Sequence, residues 1–486
     1  MKLSAIMNGV SCFTTADMDR DIAAITVDSR KAAPGTVFCC IKGLTRDGHD
    51  FAPAAAEAGA VVVCDHDLGL HEQQIIVENT REAFAAMCEN YFGNPLRRLK
   101  LIGITGTNGK TSTTFILKHV LEQCGHKTGL IGTVQNMIGD EIIEAHYTTP
   151  DTYELHELFG KMADAGCEYC VMEVSSFGLE QGRVAGLHFD TACFTNLTQD
   201  HIDIHHTMEA YFAAKCMLFE RCSKAVINAD DPWSARIPLG EDVDTLTFTA
   251  AGSDGLTASN IVCRADGVSF TMSLGGESGQ VTACIPGRFT VYNLLSAAGC
   301  ALAEGLKLKD IAKALSTARG VKGRAEVYPN NRDFTIIIDY AHSPDGVENI
   351  LRSMREITDG RLVVLLGCGG DRDAAKRPLM GEAAARLADY VIVTSDNPRS
   401  EDPDAIISQI IPGVKKHDTE YTVITGRRDA IEYAVRNARK DDVIVLAGKG
   451  HETYQILSTG TIHFDEREVL DEIFAKIAAE EATNNG

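Results

Sequence analysis

The sequence is poor in positive charge and lacks long apolar runs, and each shortage excludes a class of function. Lysine and arginine number 46 against 68 acidic residues, which gives a net charge of -22 at pH 7. Such an acidic surface repels nucleic acids and anionic membranes, so broad binding to either is excluded. No apolar run reaches the roughly 18 residues that a membrane-spanning helix needs. Any anion that the protein binds must therefore be held by a local site.

Paired metal-binding cysteines and a signal peptide are also missing. The fifteen cysteines have no paired spacing and lie in apolar segments such as Phe38-Cys39-Cys40-Ile41. Thiols in such segments are typical of reduced core residues in cytosolic proteins. The chain begins with one positive charge but turns polar too early for a signal peptide. We therefore expect a cytoplasmic protein.

The length predicts several domains. At about 150 residues per domain, a chain of 486 residues makes roughly three, and an apolar content of 44% is enough for several cores. Turn-forming segments at Gly93-Asn94-Pro95 and at residues 319–323 mark two boundaries. We expect an α/β protein with a small N-terminal domain of residues 1–95, a central domain of residues 96–320 and a C-terminal domain of residues 321–486.

A phosphate-binding loop is predicted between an apolar strand at residues 99–104 and a helix at residues 113–121. The loop consists of Gly106, Thr107, Asn108, Gly109, Lys110, Thr111 and Ser112. At a strand-to-helix turn, backbone amides and the helix dipole favour phosphate. Lys110 would reach the terminal phosphates, and the Thr111 hydroxyl would hold Mg2+. Ile104 replaces the first glycine of the usual motif, and the alternative is a tight turn with an incidental lysine.

Lys215 lies within an apolar stripe of a predicted helix, where a charged amine is unfavourable. The stripe consists of Met208, Tyr211, Phe212, Leu218 and Phe219. Burial lowers the pKa of a lysine and leaves a neutral amine. A neutral amine can pair with an acid or react with carbon dioxide to give a carbamate, an anion able to hold a metal. The alternative is that the amine reaches solvent along its flexible stem.

Four apolar runs in the last third of the chain each end in a polar cluster. The runs cover residues 334–339, 362–366, 390–394 and 443–447, and helical segments separate them. This order predicts an open parallel α/β sheet whose ligand crevice lies at the carboxyl ends of the strands. Arg372 and Arg399 could each grip a carboxylate, and Asp396 and Glu452 could take an ammonium. Together these charges suit a zwitterionic amino acid, whereas each cluster alone could be a solvated turn.

Several segments, in one order along nearly the whole chain, resemble the Mur ligases. The matching motifs are Gly-Thr-Asn-Gly-Lys-Thr at 106–111, Glu-Val-Ser-Ser at 173–176, Asn-Leu-Thr-Gln-Asp-His at 196–201, Asn-Ala-Asp-Asp-Pro at 228–232, Asn-Leu-Leu-Ser-Ala at 293–297, Gly-Arg-Ala-Glu at 323–326 and Asp-Tyr-Ala-His at 339–342. Mur ligases are ATP-dependent amino-acid ligases of peptidoglycan precursor synthesis. The resemblance implies a UDP-binding N-terminal domain, a central domain of the P-loop ATPase type and a Rossmann-like C-terminal domain.

The resemblance also implies a pair of substrates. Thr-Thr-Pro at 148–150, residues 175–183 and Gly-Lys-Gly-His-Glu at 448–452 resemble the ligases that extend UDP-N-acetylmuramoyl-L-alanyl-D-glutamate. Asp396-Asn397-Pro398-Arg399 is the form associated with meso-diaminopimelate, whose second carboxylate can pair with an arginine. Lysine-adding relatives lack this arginine, because lysine offers only an ammonium at that end. The lysine-adding ligase is the nearest alternative.

Site residues follow from the same resemblance. Lys215 aligns with the lysine that the family carries as a carbamate, and with Thr111, Glu173 and His201 it would position Mg2+ around ATP. The implied ATP contacts are residues 106–112 with Asn293, Arg324 and Asp339, and those of the UDP-muramoyl dipeptide are Ser29, Thr148, Thr149, Ser175, Gln181 and Arg183. Diaminopimelate would meet Arg372, Asp396, Asn397, Pro398, Arg399, Gly448 and Glu452. His205-His206 could instead indicate zinc, but no further ligand spacing supports that interpretation.

The implied mechanism is acyl phosphate formation. The γ-carboxylate of the glutamyl residue attacks the γ-phosphate of ATP, and Lys110, Arg324 and Mg2+ offset the charge. The amine of diaminopimelate then displaces phosphate after losing a proton, for which His342 or an acidic side chain could be the base. We expect a monomer whose C-terminal domain closes onto the central one and excludes water. A folylpolyglutamate synthase-like ligase and a switch ATPase are more distant alternatives.

Overall fold

The structure, a computed structural model, describes residues 1–43 and 45–484, except for the side chains of Asp203 and Asn484. Its first sheet contains β1 (Cys12–Thr14), β2 (Ala24–Thr26), β3 (Thr36–Cys39), β4 (Val61–Cys64) and β5 (Gln74–Val77). The strand order is β1-β5-β4-β3-β2, and only β1 runs antiparallel to its neighbour. Helices α1 (Leu3–Ile6), α2 (Ala52–Glu57) and α3 (Thr80–Tyr91) pack against this sheet through apolar side chains.

The second sheet carries the predicted phosphate loop. Its strands are β6 (Lys100–Thr105), β7 (Thr128–Ile131), β8 (Asn136–Ile138), β9 (Glu141–Ile143), β10 (Tyr169–Glu173), β11 (Phe189–Phe194), β12 (Cys222–Asn228), β13 (Asp244–Thr249), β14 (Leu256–Arg264), β15 (Gly267–Leu274) and β16 (Glu277–Ala283). The order is β16-β15-β14-β13-β12-β11-β6-β10-β7-β8-β9. The strands from β7 to β14 in this order are parallel, so residues that follow β6, β10 and β11 meet at one edge.

Seven helices of the described chain accompany this sheet. They are α4 (Lys110–Gln123), α5 (Thr152–Asp164), α6 (Ser176–Glu180), α7 (Ile202–His205), α8 (Met208–Cys216), α9 (Arg288–Ala303) and α10 (Leu308–Leu315). The apolar sides of α4, α9 and α10 share one core with the sheet, and those of α5 and α8 share another. Helix α4 begins at Lys110 rather than at the predicted Thr113, because Gly109 with a φ of +89° turns the chain directly into the helix.

The third sheet contains β17 (Glu326–Tyr328), β18 (Thr335–Asp339), β19 (Leu362–Leu366), β20 (Tyr390–Val393), β21 (Glu420–Val423) and β22 (Val443–Ala447). The order is β17-β18-β22-β19-β20-β21, and only β17 is antiparallel. The accompanying elements are α11 (Pro344–Arg355), α12 (Lys376–Leu387), α13 (Pro403–Val414), α14 (Arg427–Arg436), the hairpin of β23 (Tyr454–Leu457) and β24 (Gly460–His463), and α15 (Glu466–Asn484).

The predicted α/β fold is confirmed, including the open parallel sheet of the last third. The four predicted apolar runs are β18, β19, β20 and β22, which are consecutive neighbours in that sheet. The polar clusters that follow them therefore lie side by side at one edge. Among the described residues, none of the helices combines the length and the apolar composition that crossing a bilayer requires.

Candidate active site

The phosphate loop joins β6 to α4 at the carboxyl edge of the central sheet. Gly106 has a φ of +144°, and a Cβ there would lie 1.9 Å from Thr195 Oγ1, so only glycine fits. The Lys110 ammonium donates hydrogen bonds to the carbonyls of Gly106 and Thr107, at 2.9 and 2.8 Å. Desolvation lowers the pKa of Lys110, although the Glu173 carboxylate acts in the opposite direction. The loop thus curls around its own lysine, as a loop that cradles phosphate would.

Lys215 lies on α8, and its side chain contacts the backbone of the same loop. The residue is only 1% exposed, so its amine does not reach solvent. Its Nζ donates a hydrogen bond to the Gly106 carbonyl at 2.8 Å and lies 4.2 Å from the centre of the Tyr211 ring. Burial lowers the pKa of Lys215 well below its ordinary range, and the charge of Lys110 lowers it further. The neutral form of the amine is therefore favoured.

Glu173 ends β10 and places a buried carboxylate beside the loop. It accepts hydrogen bonds from Thr111 Oγ1 at 3.0 Å and from the amide and hydroxyl of Thr133 at 2.8 and 3.0 Å. His201 lies farther out, with its ring centre 6.2 Å from that of Tyr211. Of the four predicted metal ligands, Thr111 and Glu173 are in contact with each other. The other two, Lys215 and His201, both lie beside the Tyr211 ring.

The C-terminal domain reaches the phosphate loop through two side chains. Arg324 donates a hydrogen bond to Thr111 Oγ1 at 3.4 Å. Asp345, in the first turn of α11, accepts hydrogen bonds from Asn108 Nδ2 at 2.8 Å and from Thr198 Oγ1 at 2.7 Å. The central and C-terminal domains therefore meet directly over the phosphate loop.

The other predicted nucleotide contacts surround this junction. Ser112, Asn293 and Arg324 line one narrow crevice beside α4. Asp339 ends β18 and accepts hydrogen bonds from two backbone amides at 2.7 and 2.8 Å, one of them from the residue that follows Arg324. Burial raises the pKa of Asp339. Asp339 thus fixes the backbone that carries Arg324.

A second cleft lies between the N-terminal and central domains and encloses a cavity of about 420 Å³. Lys42, Arg81, Gln181 and Arg183 are among its lining residues. Arg183 donates hydrogen bonds to Gln181 Oε1 at 2.9 Å and to the Thr149 carbonyl at 2.7 Å. The lining also includes Asp151 and Glu180, so three basic side chains outnumber two carboxylates, a balance compatible with an anionic substrate.

The predicted dipeptide contacts connect this cleft to Glu173. Ser175 donates its amide to Thr149 Oγ1 at 3.0 Å, and the Thr149 hydroxyl donates to the Glu173 carbonyl at 2.9 Å. Thr148 Oγ1 lies 3.0 Å from Thr133 Oγ1, which in turn contacts the Glu173 carboxylate. Ser29 begins a short 3₁₀ turn of the N-terminal domain, two residues after a residue that lines the cavity.

The polar clusters at the C-terminal sheet edge contact one another. Asn397 Nδ2 donates a hydrogen bond to Glu452 at 2.9 Å, and the buried Lys449 lies 3.0 Å from the same carboxylate. A Cβ at Gly448 would lie 2.5 Å from Asp396 Oδ2, so glycine lets these two clusters approach. Glu452 is thus already paired with a cation, a partner that the sequence did not indicate.

The two predicted carboxylate-binding arginines flank Gly369. A Cβ at that glycine would lie 2.8 Å from Arg399 Nη1 and 3.8 Å from Arg372 Cγ. Arg399 donates a hydrogen bond to the Gly370 carbonyl at 2.8 Å, and the loop packs tightly there, because a Cβ at Gly370 would lie 1.9 Å from the Pro398 carbonyl. The Arg372 guanidinium is exposed and donates to its neighbour's carbonyl. The Arg399 guanidinium and the stem of Arg372 therefore lie beside the same glycine at the edge where the strand ends converge.

Several residues of the site were not predicted. Thr133, Asp345 and Lys449 each make central hydrogen bonds, and Tyr211 was assigned only to an apolar stripe. Thr133 lies two residues after the end of β7, just as other predicted site residues lie at the ends of strands. Its position at a strand end could therefore have indicated that it belongs to the site. Asp345 acts through partners distant in sequence, which no local pattern indicates, whereas Lys449 pairs with Glu452 only three residues further along the chain.

The alternative zinc site at His205-His206 gains no support from the structure. His205 is buried, with Nε2 at 3.0 Å from Ser176 Oγ and Nδ1 at 3.5 Å from Glu180. Among the residues that the structure describes, the group of three close metal-ligating side chains lies in the N-terminal domain instead.

Family models match three successive parts of the chain. They are the Mur ligase family catalytic domain at residues 21–92, the Mur ligase middle domain at residues 104–301 and the Mur ligase glutamate ligase domain at residues 323–450. The phosphate loop, Glu173 and Lys215 fall in the second match, and the strand-end clusters fall in the third. The chain belongs to the Mur ligase family, as the sequence motifs predicted.

Individual relatives share one name. A UDP-N-acetylmuramoyl-L-alanyl-D-glutamate--2,6-diaminopimelate ligase of Clostridium botulinum is 45% identical over 485 residues, which span 98% of this chain and 100% of that protein. A ligase of the same name from Caldanaerobacter subterraneus is 46% identical over 480 residues, 98% of this chain and 99% of its own. A solved structure of a ligase with this name has a TM-score of 0.74 at 29% identity and covers 99% of both chains.

Proposed function

We propose that this chain is the ATP-dependent ligase that joins meso-diaminopimelate to UDP-N-acetylmuramoyl-L-alanyl-D-glutamate in peptidoglycan precursor synthesis. The observation that carries this proposal is the meeting of two strand-end sites. The phosphate loop of the central sheet lies against the C-terminal domain through Arg324 and Asp345. The charged clusters of the C-terminal sheet open at the corresponding edge, so a nucleotide and an amino acid can be held in one enclosed space.

We further propose that Mg2+ binds beside the phosphate loop. The Thr111 hydroxyl and the Glu173 carboxylate are hard oxygen donors 3.0 Å apart, which fit this ion. The neutral Lys215 amine would add carbon dioxide to give a carbamate and release one proton, and the carbamate with His201 would complete the protein's ligands. The ion would neutralise phosphate charge in the transition state.

In the proposed reaction, the glutamyl γ-carboxylate takes the γ-phosphoryl group of ATP. Lys110 would exchange its loop carbonyls for phosphate oxygens, and Arg324 would offset the charge that develops on the transferred group. The neutral amine of diaminopimelate then forms the amide bond and phosphate leaves. Closure of the C-terminal domain would exclude water from the acyl phosphate.

The choice of diaminopimelate over L-lysine rests on Arg399 and Arg372. The Arg399 guanidinium and the stem of the exposed Arg372 lie beside Gly369 at the strand-end edge, where each arginine could hold a carboxylate. Asp396 and Glu452, with Asn397, would face an ammonium group of the substrate. Pro398 and Gly448 would shape the backbone around it.

The cleft beside Arg183 is proposed to bind the UDP-muramoyl dipeptide. The basic side chains of its lining would hold the anionic substrate, with Gln181 and Ser175 beside the peptide and Ser29 toward the UDP end. Thr148 and Thr149 would place the dipeptide next to Glu173. We also propose the domain boundaries after residues 95 and 320, a monomer, and a cytoplasmic location. All fifteen cysteines are free, which agrees with a reducing compartment.

The test is phosphate release from ATP and Mg2+ by the purified protein with the UDP-muramoyl dipeptide. Meso-diaminopimelate, L-lysine and no amino acid are compared, and the product mass is determined. We expect release and a tripeptide product only with diaminopimelate. A lysine product would replace the proposed specificity with that of the lysine-adding ligase. Turnover without any amino acid would favour a switch ATPase and refute the ligase.

A further inference from the structure

A cluster of metal-ligating side chains lies in the N-terminal domain, away from the phosphate loop. It consists of His49, Asp65 and His66, whose ligand atoms all lie within 4.8 Å of one another. Asp65 and His66 directly follow β4, and His49 lies in a short 3₁₀ turn (Gly48–Phe51) ten residues after the end of β3, the parallel neighbour of β4. The cluster therefore occupies the carboxyl edge of a parallel sheet, where ligands commonly bind in α/β folds.

His49 is held in the orientation of a metal ligand. Its Nδ1 lies 2.6 Å from Asp47 Oδ1, so this nitrogen carries the proton and donates it to the carboxylate. Its Nε2 accepts a hydrogen bond from the backbone amide of Asp65 at 3.4 Å, which requires a lone pair on Nε2. The His49 side chain is only 9% exposed. A carboxylate that fixes the far nitrogen of an imidazole is the usual support of a histidine that binds a metal.

The other two ligands converge on the same point. Asp65 Oδ1 lies 3.2 Å from His49 Nε2 and 2.5 Å from His66 Nδ1. The two imidazole rings are stacked, with centres 5.0 Å apart. The side chains of His66 and Asp65 are 60% and 45% exposed, so an ion from solvent can reach them. Two imidazole nitrogens and the carboxylate oxygen thus gather around one accessible point.

We propose that His49 Nε2, Asp65 Oδ1 and His66 Nδ1 bind a zinc ion, with water as the fourth ligand. Two imidazoles and one carboxylate are a set that Zn2+ accepts, whereas Mg2+ prefers a set made mostly of oxygen ligands. On binding, the proton that His66 Nδ1 shares with Asp65 is released to solvent. The ion would fasten the segment after β3 to the end of β4 and so stabilise the N-terminal domain. The proposal does not depend on the ligase activity.

The experiment titrates Zn2+ into the full-length protein after treatment with a chelator, at pH 7.5, using calorimetry and metal analysis after gel filtration. The variants are Asp65→Asn and His66→Ala, which alter exposed side chains. The matched control is His463→Ala, because His463 forms a comparable exposed pair with Glu468 at 2.6 Å. Circular dichroism and ligase turnover establish that each variant is folded.

We expect the wild-type protein and the His463→Ala variant to bind one zinc ion per chain with the same affinity. The Asp65→Asn and His66→Ala variants should bind this ion with a dissociation constant at least about tenfold higher. An Asp47→Asn variant, which frees His49 to rotate, should weaken binding of the same ion by about 10- to 100-fold. Equal zinc binding by the wild-type protein and His66→Ala would refute the site. If the wild-type protein binds no zinc ion that is lost in Asp65→Asn, the three residues form only a hydrogen-bonded cluster.

Discussion

Replacing Lys215 with methionine separates the two consequences of its burial, one for stability and one for activity. The variant loses the hydrogen bond from Nζ to the Gly106 carbonyl. That carbonyl keeps a second donor, Lys110 at 2.9 Å, so it is not left unpaired. The loss should cost about 1 kcal/mol at most, and an unbranched apolar side chain refills the same space.

The wild-type protein should depend on pH in a way that the variant does not. Because burial lowers the pKa of Lys215, the unfolded chain binds one more proton than the folded chain wherever the pH lies between the two pKa values. In that window the free energy of unfolding rises by about 1.4 kcal/mol per pH unit. Below the folded pKa both states are protonated and the full penalty for the buried charge remains. The free energy of unfolding of the wild type minus that of Lys215→Met should therefore be lowest at low pH and rise as the pH is raised.

The assay is urea unfolding at several pH values in buffer freed of carbon dioxide, followed by tryptophan fluorescence. Trp233 is the single tryptophan, and its ring centre lies 5.1 Å from that of Phe212 on α8, so it reports on the helix that carries Lys215. Lys309→Met, on the exposed side of α10, is the matched control and should give a difference that is flat with pH. An equally flat difference for Lys215→Met would mean that the buried amine stays protonated, which would refute the reasoning.

Ligase activity should respond quite differently. If the carbamate of Lys215 holds Mg2+, its removal should cost about 3 kcal/mol of transition-state stabilisation, or roughly a hundredfold in turnover. Added bicarbonate should stimulate the chelator-treated, carbon dioxide-depleted wild type and leave Lys215→Met unchanged. Full activity in the variant would show that the carbamate is not used.

Three further substitutions test other parts of the site. Glu173→Gln should keep the contact with Thr111 but raise the Mg2+ concentration for half-maximal turnover by about tenfold or more, and an unchanged Mg2+ titration would count against the metal assignment. Arg399→Ala should lower kcat/KM for diaminopimelate by about 30- to 100-fold, equivalent to about 2–3 kcal/mol, and leave kcat/KM for L-lysine nearly unchanged. If the ratio of the two kcat/KM values does not change, Arg399 does not determine the specificity. Asp345→Ala should abolish two hydrogen bonds between the central and C-terminal domains, each worth about 1 kcal/mol. The radius of gyration measured by small-angle scattering should therefore increase. A scattering curve identical to that of the wild type would show that closure does not depend on this contact.

Sequence reasoning located the strand ends well because the signals there are local. The apolar run before Gly106 and the glycines that follow it determine the strand, the turn and the start of α4 within a few residues. The same holds for the four runs of the C-terminal sheet. The stripe around Lys215 also indicated burial, since its helical spacing places the lysine among apolar side chains.

The partners of these residues were beyond the reach of local patterns. Asp345 meets Asn108 across more than two hundred residues of chain, and Asn397 meets Glu452 across 55 residues because β20 and β22 end at the same edge of one parallel sheet. Such contacts depend on how separate elements pack, and spacing along the chain does not encode them.

The Gly106 carbonyl, shared by two lysines, makes events on opposite sides of the loop thermodynamically dependent on each other. The charge of Lys110 opposes a proton on Lys215 and would attract an anion formed there. On the proposed chemistry, a carbamate on one side strengthens the hold of Lys110 on its partners, and a nucleotide that draws Lys110 away from the carbonyl leaves it to Lys215 alone. Linkage is reciprocal, so carbamylation of Lys215 should change the affinity for ATP by the same factor by which bound ATP changes the equilibrium constant for carbamylation. Through this one backbone oxygen, the concentration of dissolved carbon dioxide would influence the affinity of the enzyme for ATP.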